Sequence, residues 1–250
     1  AAERRGYDCV ADIAKAKTHG MMELTLCVKN LFGLVNGADR IAWHLSVGRD
    51  YARFADMLLD LYLLVRPAYN LVDAVVCMEG NGPGSGTPTE RGIVAGSTDA
   101  LALDGALAPL LGAPDLVLLR QAAERGLLPE AQLLSPLPSC KPLTFPDGDR
   151  MARNQTRLGV GIPPFLQKPL HAVLLPRPSL ESGLCIGCGL CARVCPPKAI
   201  DMVRERPSFR LRDCIRCFCC QELCPKGAIR RRKSAFMRFA QGLERLLRRG

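Results

Sequence analysis

Apolar residues in the first half of the chain recur with the spacing of a helix and then form two short runs. The helical set is Phe54, Leu58, Leu61 and Val65. This spacing predicts a helix that Asp50 caps and Pro67 ends. The run at 71–78 (LVDAVVCM) and the run at 92–96 (GIVAG) are short and contain valine or isoleucine, so each predicts a buried strand.

Two more helices are predicted after the second strand. One begins at Thr98 or Asp99, and the other covers 115–125 and is closed by Gly126. Strands that alternate with helices are typical of layered α/β folds with partly parallel pairing. We therefore expect an α/β layered N-terminal domain over residues 1–127, within a chain that is α+β overall.

Proline is concentrated in the segment that follows. Ten of the nineteen prolines lie between Pro129 and Pro178, and this density interrupts helices and central strands. We expect residues 128–181 to form a Pro-rich linker that wraps or separates two domains, with few helices or strands of its own.

An internal repeat occupies residues 182–229. The segment CIGCGLCARVCP begins at Cys185, and its second copy, CIRCFCCQELCP, begins at Cys214. Neither short copy can bury its apolar face alone, so we expect the two copies to pack about a pseudo-twofold axis.

The distribution of cysteine is the most informative feature of the composition. Nine of the thirteen cysteines fall between Cys185 and Cys224, and such clustering favours metal binding in a reducing compartment. Each repeat has the spacing C-x₂-C-x₂-C-x₃-C-P of bacterial iron–sulfur segments, in which the fourth cysteine ligates the other cluster. The spacing therefore predicts two [4Fe–4S] clusters with crossed ligation. One ligand set is Cys185, Cys188, Cys191 and Cys224, and the other is Cys195, Cys214, Cys217 and Cys220.

The same thiols have alternative uses. Zinc sites prefer two CxxC pairs separated by a longer loop, and a disulfide cluster needs an oxidising compartment. Cys219 aligns with Leu190 of the first copy, so we interpret it as a small apolar side chain, with an additional ligand or a redox-active thiol as the alternative. The default for the scattered cysteines is a buried thiol: Cys9, Cys27, Cys77 and Cys140.

Residues 182–230 resemble a bacterial two-cluster ferredoxin, with all eight ligand positions present. The resemblance implies a small pseudo-dimer of antiparallel β-hairpins and helices around the two clusters. It also implies one-electron transfer as the activity.

Charge is distributed unevenly along the chain. Residues 1–179 carry 18 basic and 18 acidic side chains, so the formal net charge of +10 resides in residues 180–250. Residues 230–250 carry 8 basic and 1 acidic side chain, with apolar residues at helical spacing, which predicts a basic amphipathic C-terminal helix. It could dock on the ferredoxin module, contact a membrane surface or bind an acidic partner. Nucleic acid is not expected, because no stacking platform or recognition motif accompanies the charge.

The N-terminal domain carries weaker signals. A basic group comprises Lys15, Lys17, His19 and Lys29. It could hold a small anionic ligand, and a solvated loop is the alternative. The Gly-rich segment 80–86 follows a strand, as a phosphate-binding loop would, but Pro83 and the lack of a following helix favour a lid or a simple turn.

Acidic side chains in the same domain suggest a further hypothesis. Asp73 and Glu79 could act as an acid–base pair or bind a metal with His19 or His44, and the alternative is a surface Asp and a loop Glu. Trp43 is expected to pack, with its neighbour His44 partly exposed. No catalytic residue is assigned.

These segments support a second resemblance. The pieces KTHGMMELTLCVKNLFG, MEGNGPGSGTP and AGSTD resemble the family known only as domain of unknown function 362, which is often joined to a ferredoxin module. The resemblance covers residues 8–126 and implies no established reaction. That family has a longer N-terminal part, so we expect the domain here to be truncated.

The sequence as a whole predicts a cytoplasmic iron–sulfur protein that transfers electrons to or from a redox partner protein. The two clusters are expected to be coupled to the α/β domain. The alternative is an oxidoreductase whose α/β domain binds a small anionic substrate and receives electrons from the clusters. In a third hypothesis the clusters only stabilise the fold.

Overall fold

A four-stranded mixed sheet with helices on one face is the framework of the N-terminal unit. In the computed structural model the described residues are 8–48, 50–145 and 176–232. The chain divides into two units, Ala1–Pro146 and Asp147–Gly250. The strands of the first unit are β1 Ala11–His19, β2 Glu23–Thr25, β3 Tyr69–Glu79 and β4 Thr87–Ser97. Its helices are α1 Cys27–Asn30, α2 Gly37–Val47, α3 Tyr51–Val65, α4 Ala100–Leu110 and α5 Val117–Glu124, with a 3₁₀ turn at Leu31–Leu34.

The order of strands in this sheet is β2-β1-β3-β4. Strands β1 and β3 are parallel, while β2 and β4 each run antiparallel to their neighbours. The two predicted strands at 71–78 and 92–96 lie within β3 and β4, but they form a hairpin around the Gly-rich segment. Sheet and helices together confirm the α+β class.

Helices α3 and α4 begin where local chemistry predicted. The Asp50 side chain accepts a hydrogen bond from the backbone N–H of Arg53 at 3.0 Å, and Asp99 accepts one from Ala102 at 2.9 Å. Such caps satisfy amides that have no partner inside the helix. The apolar stripe of α3 packs against other helices of the unit, chiefly α5, with Phe54 and Leu58 fully buried. Helix α5 is two residues later at its start than predicted.

A buried carboxylate joins two distant segments of the unit. Asp104 in α4 accepts hydrogen bonds from the backbone N–H groups of Cys27, at 2.9 Å, and Val28, at 3.0 Å. These amides open α1, whose own preceding residue, Leu26, has no side chain that can cap it. Asp104 thus fixes α1 against α4 from 76 residues away.

The start of the predicted linker packs on the N-terminal unit. Residues 128–145 contain no helix or strand, yet Leu143 is buried and its N–H donates to the carbonyl of Leu111 at 3.0 Å. Residues 146–175 lie outside the described part of the chain. The last part of the predicted linker, Arg177–Leu180, is a strand.

Residues 176–232, the described part of the second unit, form two small antiparallel ladders and two single-turn helices. Its strands are β5 Arg177–Leu180, β6 Ile200–Val203, β7 Arg206–Phe209 and β8 Ile229–Arg232. Its helices are α6 Leu190–Arg193 and α7 Cys219–Glu222, after a 3₁₀ turn at Ser182–Leu184. Strand β5 pairs with β8, and β6 pairs with β7.

The predicted C-terminal amphipathic helix falls at 233–250, outside the described residues. Arg230, Arg231 and Arg232, predicted as the start of that tail, belong to β8 instead. In the part of the chain that the structure describes, no helix has the length and apolar content needed to cross a membrane.

Candidate iron–sulfur centres

The repeat is longer than its cysteine segments. The same shift along the sequence that carries Cys185 to Cys214 also carries β5 to β7 and β6 to β8. The bonds at the strand ends obey the same relation: Glu181 N–H donates to Ala228 C=O at 2.7 Å, and Arg210 N–H donates to Ala199 C=O at 2.9 Å. Each strand before a cysteine segment therefore pairs with the strand after the other segment, which produces pseudo-twofold packing.

Among the described residues of this unit, two pockets are each lined by four cysteines. The first, here site I, contains Cys185, Cys188, Cys191 and Cys224. The second, here site II, contains Cys195, Cys214, Cys217 and Cys220. Their empty volumes, open mouths included, are similar at ≈ 370 and ≈ 330 Å³. In each site three cysteines come from one repeat and the fourth comes from the other, although ligation by these eight thiols stays a prediction.

Left-handed residues shape the turn between the first and third cysteine of each repeat. Gly187 and Gly189 have φ of 71° and 68°, and the equivalent Arg216 and Phe218 have φ of 59° and 60°. Glycine adopts this conformation freely, whereas a residue with a Cβ stores about 1–3 kcal/mol of strain. The second turn keeps its shape through packing, since Arg216 and Phe218 are both buried and the Arg216 guanidinium donates to Pro176 C=O.

Backbone amides point at the fourth sulfur of each repeat. Ala199 N–H donates to Cys195 Sγ at 3.2 Å, and Ala228 N–H donates to Cys224 Sγ at 3.3 Å. Amide–sulfur hydrogen bonds stabilise thiolate ligands and affect the reduction potential of iron–sulfur clusters. Burial raises the pKa of the Cys191, Cys195 and Cys220 thiols, so iron must displace their protons to bind.

The two sites differ in exposure. Cys188 of site I is exposed and its other three cysteines are half-buried, whereas Cys195, Cys217 and Cys220 of site II are buried. Among the described residues, no group of three or more histidine, cysteine or carboxylate side chains is placed to hold a single metal ion. The thiols surround a space instead, which is the arrangement that a multi-iron cluster needs.

Cys219 lies beside site II but does not line it, whereas its neighbour Cys220 does. The Cys219 thiol hydrogen-bonds to Cys217; this contact lowers the pKa of Cys217 and, with burial, raises that of Cys219. Cys219 is therefore placed as a protonated donor to a neighbouring sulfur. It is buried, as the interpretation of a small apolar residue predicted.

The candidate groups of the N-terminal unit have separate structural roles. Lys15 forms an ion pair with Asp73 at 2.6 Å, and Glu79 pairs with Arg91 at 3.2 Å. Asp73 and Glu79 thus each face a cation of their own, in contrast to the shared acid–base or metal site considered above. The alternative of a surface Asp and a loop Glu is also inexact, because both residues are half-buried in β3, of which Glu79 is the last residue.

The histidines also differ from the anion-site and metal hypotheses. His19 is buried, and its Nδ1 accepts hydrogen bonds from the N–H groups of Met21 and Met22 at 3.1 and 3.2 Å. An accepting Nδ1 carries no proton, so the ring is neutral. Burial, followed by the charge of Lys29, lowers the pKa of His44 to about 4.

The exposure of Trp43 and His44 is the reverse of the prediction. His44 is buried and stacks on Phe54 at 5.0 Å between ring centroids, while Trp43 is 41% exposed. Lys29 lies over the Phe32 ring at 4.9 Å. With Lys15 matched by Asp73 and His19 neutral, the predicted basic group carries less positive charge than its sequence suggests. Of the four scattered cysteines, Cys27 and Cys77 are buried, Cys140 is half-buried and Cys9 is exposed, which corrects the default for Cys9.

The Gly-rich segment closes onto β1. Thr18 Oγ1 contacts the carbonyl oxygens of Gly80 and Met78 at 3.2 and 3.4 Å. At Gly82 an added Cβ would lie 2.2 Å from the carbonyl oxygen of Thr18. Because the segment leads into β4 and packs this closely, it is a hairpin turn and has no helix N terminus to hold a phosphate.

Comparison with known proteins supports the two-part organisation. Residues 1–109 match the family model described as Domain of unknown function (DUF362), and residues 184–228 match the model of a 4Fe-4S dicluster domain. One part of the chain thus matches the DUF362 model and another part matches the model of a 4Fe–4S dicluster domain. Both predicted resemblances are confirmed, and the chain is an iron–sulfur protein.

One relative shows how much of a longer protein the chain covers. The thylakoid-associated protein sll1697 of Synechocystis sp. is 34% identical over 184 residues. The matched region covers 68% of this chain and 57% of that protein. The chain thus spans little more than half the length of this relative.

Proposed function

We propose that the protein is a one-electron carrier with two [4Fe–4S] clusters, one in site I and one in site II. The observation that carries this proposal is the division of eight cysteines into two pockets, each completed by the fourth cysteine of the other repeat. This is the crossed ligation expected of the C-x₂-C-x₂-C-x₃-C-P spacing.

The residues present fit such clusters. Site I would use Cys185, Cys188, Cys191 and Cys224, and site II would use Cys195, Cys214, Cys217 and Cys220. The bound clusters supply reversible one-electron chemistry. The chain supplies left-handed turns that direct sulfurs into the pocket, and amide donors at 3.2 and 3.3 Å to the fourth sulfur of each repeat.

The DUF362 domain would be coupled to this carrier as a donor, an acceptor or a substrate-binding domain. The oxidoreductase alternative needs an anionic site near Lys15, Lys17 and His19, and the neutral His19 with the Lys15–Asp73 ion pair weakens it. We therefore place electron transfer to a redox partner protein first. A ligand that shifts the cluster spectrum would favour the alternative.

Two observations bear on the location of the protein in the cell. Reactive thiols grouped around iron suit a reducing, cytoplasm-like compartment. The relative is named thylakoid-associated, and residues 233–250 carry 5 basic and 1 acidic side chain. We propose that this basic segment makes a peripheral contact with an anionic membrane surface.

Iron stoichiometry tests the proposal. Protein reconstituted anaerobically should contain about eight iron and eight sulfide per chain and give the electron paramagnetic resonance signal of two interacting reduced clusters. Substitution Cys188→Ser should affect the signal of one cluster, and Cys217→Ser that of the other. About four iron atoms per chain with all eight thiols protected would contradict the model.

A further inference from the structure

The surface around site I, defined by Leu184, Ile186, Met202, Arg193, Arg206 and Lys226, has the features of an interaction surface. We propose that an acidic redox protein docks there and exchanges electrons through site I, while site II communicates with partners only through site I. This inference rests on the proposed one-electron activity. It adds which cluster faces the partner and what charge the partner carries.

Exposure distinguishes the two ends of the unit. Cys188 is exposed, and the site I pocket is flanked by Ile186, which is 60% exposed, and Met202, which is 37% exposed. The counterpart of Ile186 at site II is Ile215, which is half-buried, and the neighbouring Arg216 and Phe218 are buried. A partner can therefore approach the cluster of site I more closely.

The surface has exposed apolar residues at its centre, from which a bound partner would exclude water. Leu184, directly before Cys185 in the chain, is also 43% exposed. Electron-transfer encounters use small interfaces of below about 1,200 Å². A few exposed apolar side chains next to the redox centre are enough for such an interface, with polar residues at its rim.

The rim of the patch is positively charged. The Arg193 guanidinium donates to Cys188 C=O at 3.2 Å, that of Arg206 donates to Cys185 C=O at 2.6 Å, and Lys226 lines the pocket. All three side chains are exposed. Within the described residues none of the three forms an ion pair, and Glu205, near Gly187, is the carboxylate nearest to that turn.

Some arginines elsewhere in the unit have acidic neighbours. Arg210 pairs with Asp201 and Asp213, and Arg230 approaches Glu181 at 3.8 Å. At site I, in contrast, the exposed Arg193, Arg206 and Lys226 add positive charge that no ion pair among the described residues offsets. A field of one sign attracts a partner of the opposite sign and raises the rate of productive encounter, in a way that salt weakens.

The electron balance of the exchange is simple. One electron leaves the reduced cluster of site I, and the acceptor gains that electron. No bond is formed or broken and no proton moves. The reduced state can be refilled from site II or from an external reductant such as dithionite.

Stopped-flow kinetics with the full, cluster-loaded chain test the inference. The reduced protein is mixed with an acidic b-type cytochrome or with a basic c-type cytochrome, whose haem absorbance reports electron transfer. We expect the acidic cytochrome to be reduced at least tenfold faster at low ionic strength, and its rate to fall as salt is added. A rate that rises with salt for the acidic cytochrome would overturn the proposal.

Two matched pairs of variants locate the surface. Lys226→Glu should slow the acidic cytochrome severalfold at low salt and have little effect at high salt, whereas Lys141→Glu, an exposed control in the N-terminal unit with the same charge change, should not. Ile186→Asn should slow transfer at both salt concentrations, whereas the fully exposed control Leu134→Asn should not. Equal rates for each variant and its control would overturn the proposal.

The failure of the inference is distinguishable from the failure of the proposed function. Potentiometric titration of each variant, followed by electron paramagnetic resonance, shows whether two reversible clusters are present. Absence of reversible clusters in the unaltered chain would contradict the function itself. If both clusters are reversible but the rate of electron transfer is unchanged by substitution of Lys226 or Ile186, the proposed docking surface is contradicted and the proposed function is not. Anionic vesicles that bind the surface through Lys226 while transfer remains unaffected would assign it to a membrane and overturn the protein partner.

Discussion

Cys219 and Cys220 are adjacent thiols with different environments. Cys220 lines site II, while Cys219 hydrogen-bonds to Cys217 from outside the pocket. We expect Cys219→Ser to keep about eight iron atoms per chain, because no ligand is lost. Cys220→Ser should lose or convert the site II cluster. Iron and sulfide analysis of the two anaerobically reconstituted variants measures this, and equal loss of iron from both would show that the alignment of Cys220 with Cys191 is wrong.

Asp104 links the stability of the N-terminal unit to pH. Its carboxylate is fully buried, and burial raises its pKa to about 7 even though two backbone hydrogen bonds lower it. The folded state therefore binds a proton more tightly than the unfolded state, in which an Asp has a pKa near ~3.9. The free energy of unfolding should then fall as pH rises from about 4 through about 7, by at most about 4 kcal/mol.

Asp104→Asn should flatten this pH dependence. The amide can accept one of the two N–H groups of Cys27 and Val28 but places a donor against the other, so the variant should also lose about 1–3 kcal/mol. Denaturant unfolding followed by the fluorescence of Trp43, the single tryptophan, at pH 5.5 and pH 8 measures both effects. Two other groups contribute in both chains: Asp12, whose pKa burial raises, gives a slope of the same sign, and His44, whose pKa burial lowers to about 4, gives a slope of the opposite sign. An unchanged slope in the variant would assign the pH dependence to other groups.

The role of a side chain can be predicted from sequence when its partner is close in the chain. Asp50 and Asp99 are predictable as caps because a cap bonds an amide three residues away. Asp104 is not, because it caps a helix 76 residues away and only the fold brings the two together. The burial of His44 is not predictable for a related reason, since the Phe54 ring that stacks on it lies on another helix.

At the scale of elements, the strands that the sequence missed had visible signals. In β1 (ADIAKAKTH) the buried Ala14, Ala16 and Thr18 alternate with more exposed residues at the period of two that marks a strand. Alanine and lysine have low strand propensity, so the signal is weak. The second signal is Arg-Pro-Ser, which begins at Arg177 and again at Arg206, with the same offset as the two cysteine segments. It extends the repeat into β5 and β7. Four-residue strands that contain proline cannot be recognised by propensity alone.

Two glycines of the N-terminal unit are expected to respond oppositely to the same change. At Gly82 a Cβ would meet Thr18 backbone at 2.2 Å, so Gly82→Ala should displace the hairpin turn from β1 and lower stability by about 1–3 kcal/mol. At Gly105, inside α4, no atom lies within 4 Å of the new Cβ. Gly105→Ala should therefore raise stability by about 0.5–1 kcal/mol.

Urea unfolding followed by Trp43 fluorescence measures both glycine variants. Because each variant is the control for the other, a general effect of added methyl groups cannot explain opposite signs. If Gly82→Ala proves neutral, the close approach of the loop to Thr18 is not maintained in solution.

In the molecule as a whole, the net positive charge and the predicted cluster ligands lie in the same part of the chain. Residues 1–179 have no net charge, and residues 180–250 hold the cysteine repeat together with the entire +10. The division of the eight cysteines between two pockets could be predicted from sequence, because the C-x₂-C-x₂-C-x₃-C-P spacing assigns the fourth cysteine of each repeat to the other site. The inequality of the two sites could not be predicted, because Ile186 and Ile215 are the same residue type and differ only in burial.

The basic C-terminal segment supplies the last prediction. Strand β8 ends at Arg232 and pairs with β5, so a truncation must keep residues 230–232 to preserve the ladder. A chain ending at Arg232 should retain its full iron content, because all eight predicted ligands precede it. It also loses 5 basic and 1 acidic side chain. Its binding to anionic vesicles should therefore weaken, and the difference from the full chain should disappear as salt screens charge beyond about 8 Å.

Flotation with anionic and neutral vesicles, each at low and high salt, measures this contribution of residues 233–250. Thermal melts of both chains without vesicles are the control. If an apolar helix face docks on the protein itself, the full chain should melt at a higher temperature than the truncated chain. Moderate salt should change this difference in melting temperature little. If the truncated chain melts at a lower temperature and both chains float equally, the segment docks on the protein itself and does not contact the membrane. Equal flotation together with equal melting temperature would contradict both roles for the segment.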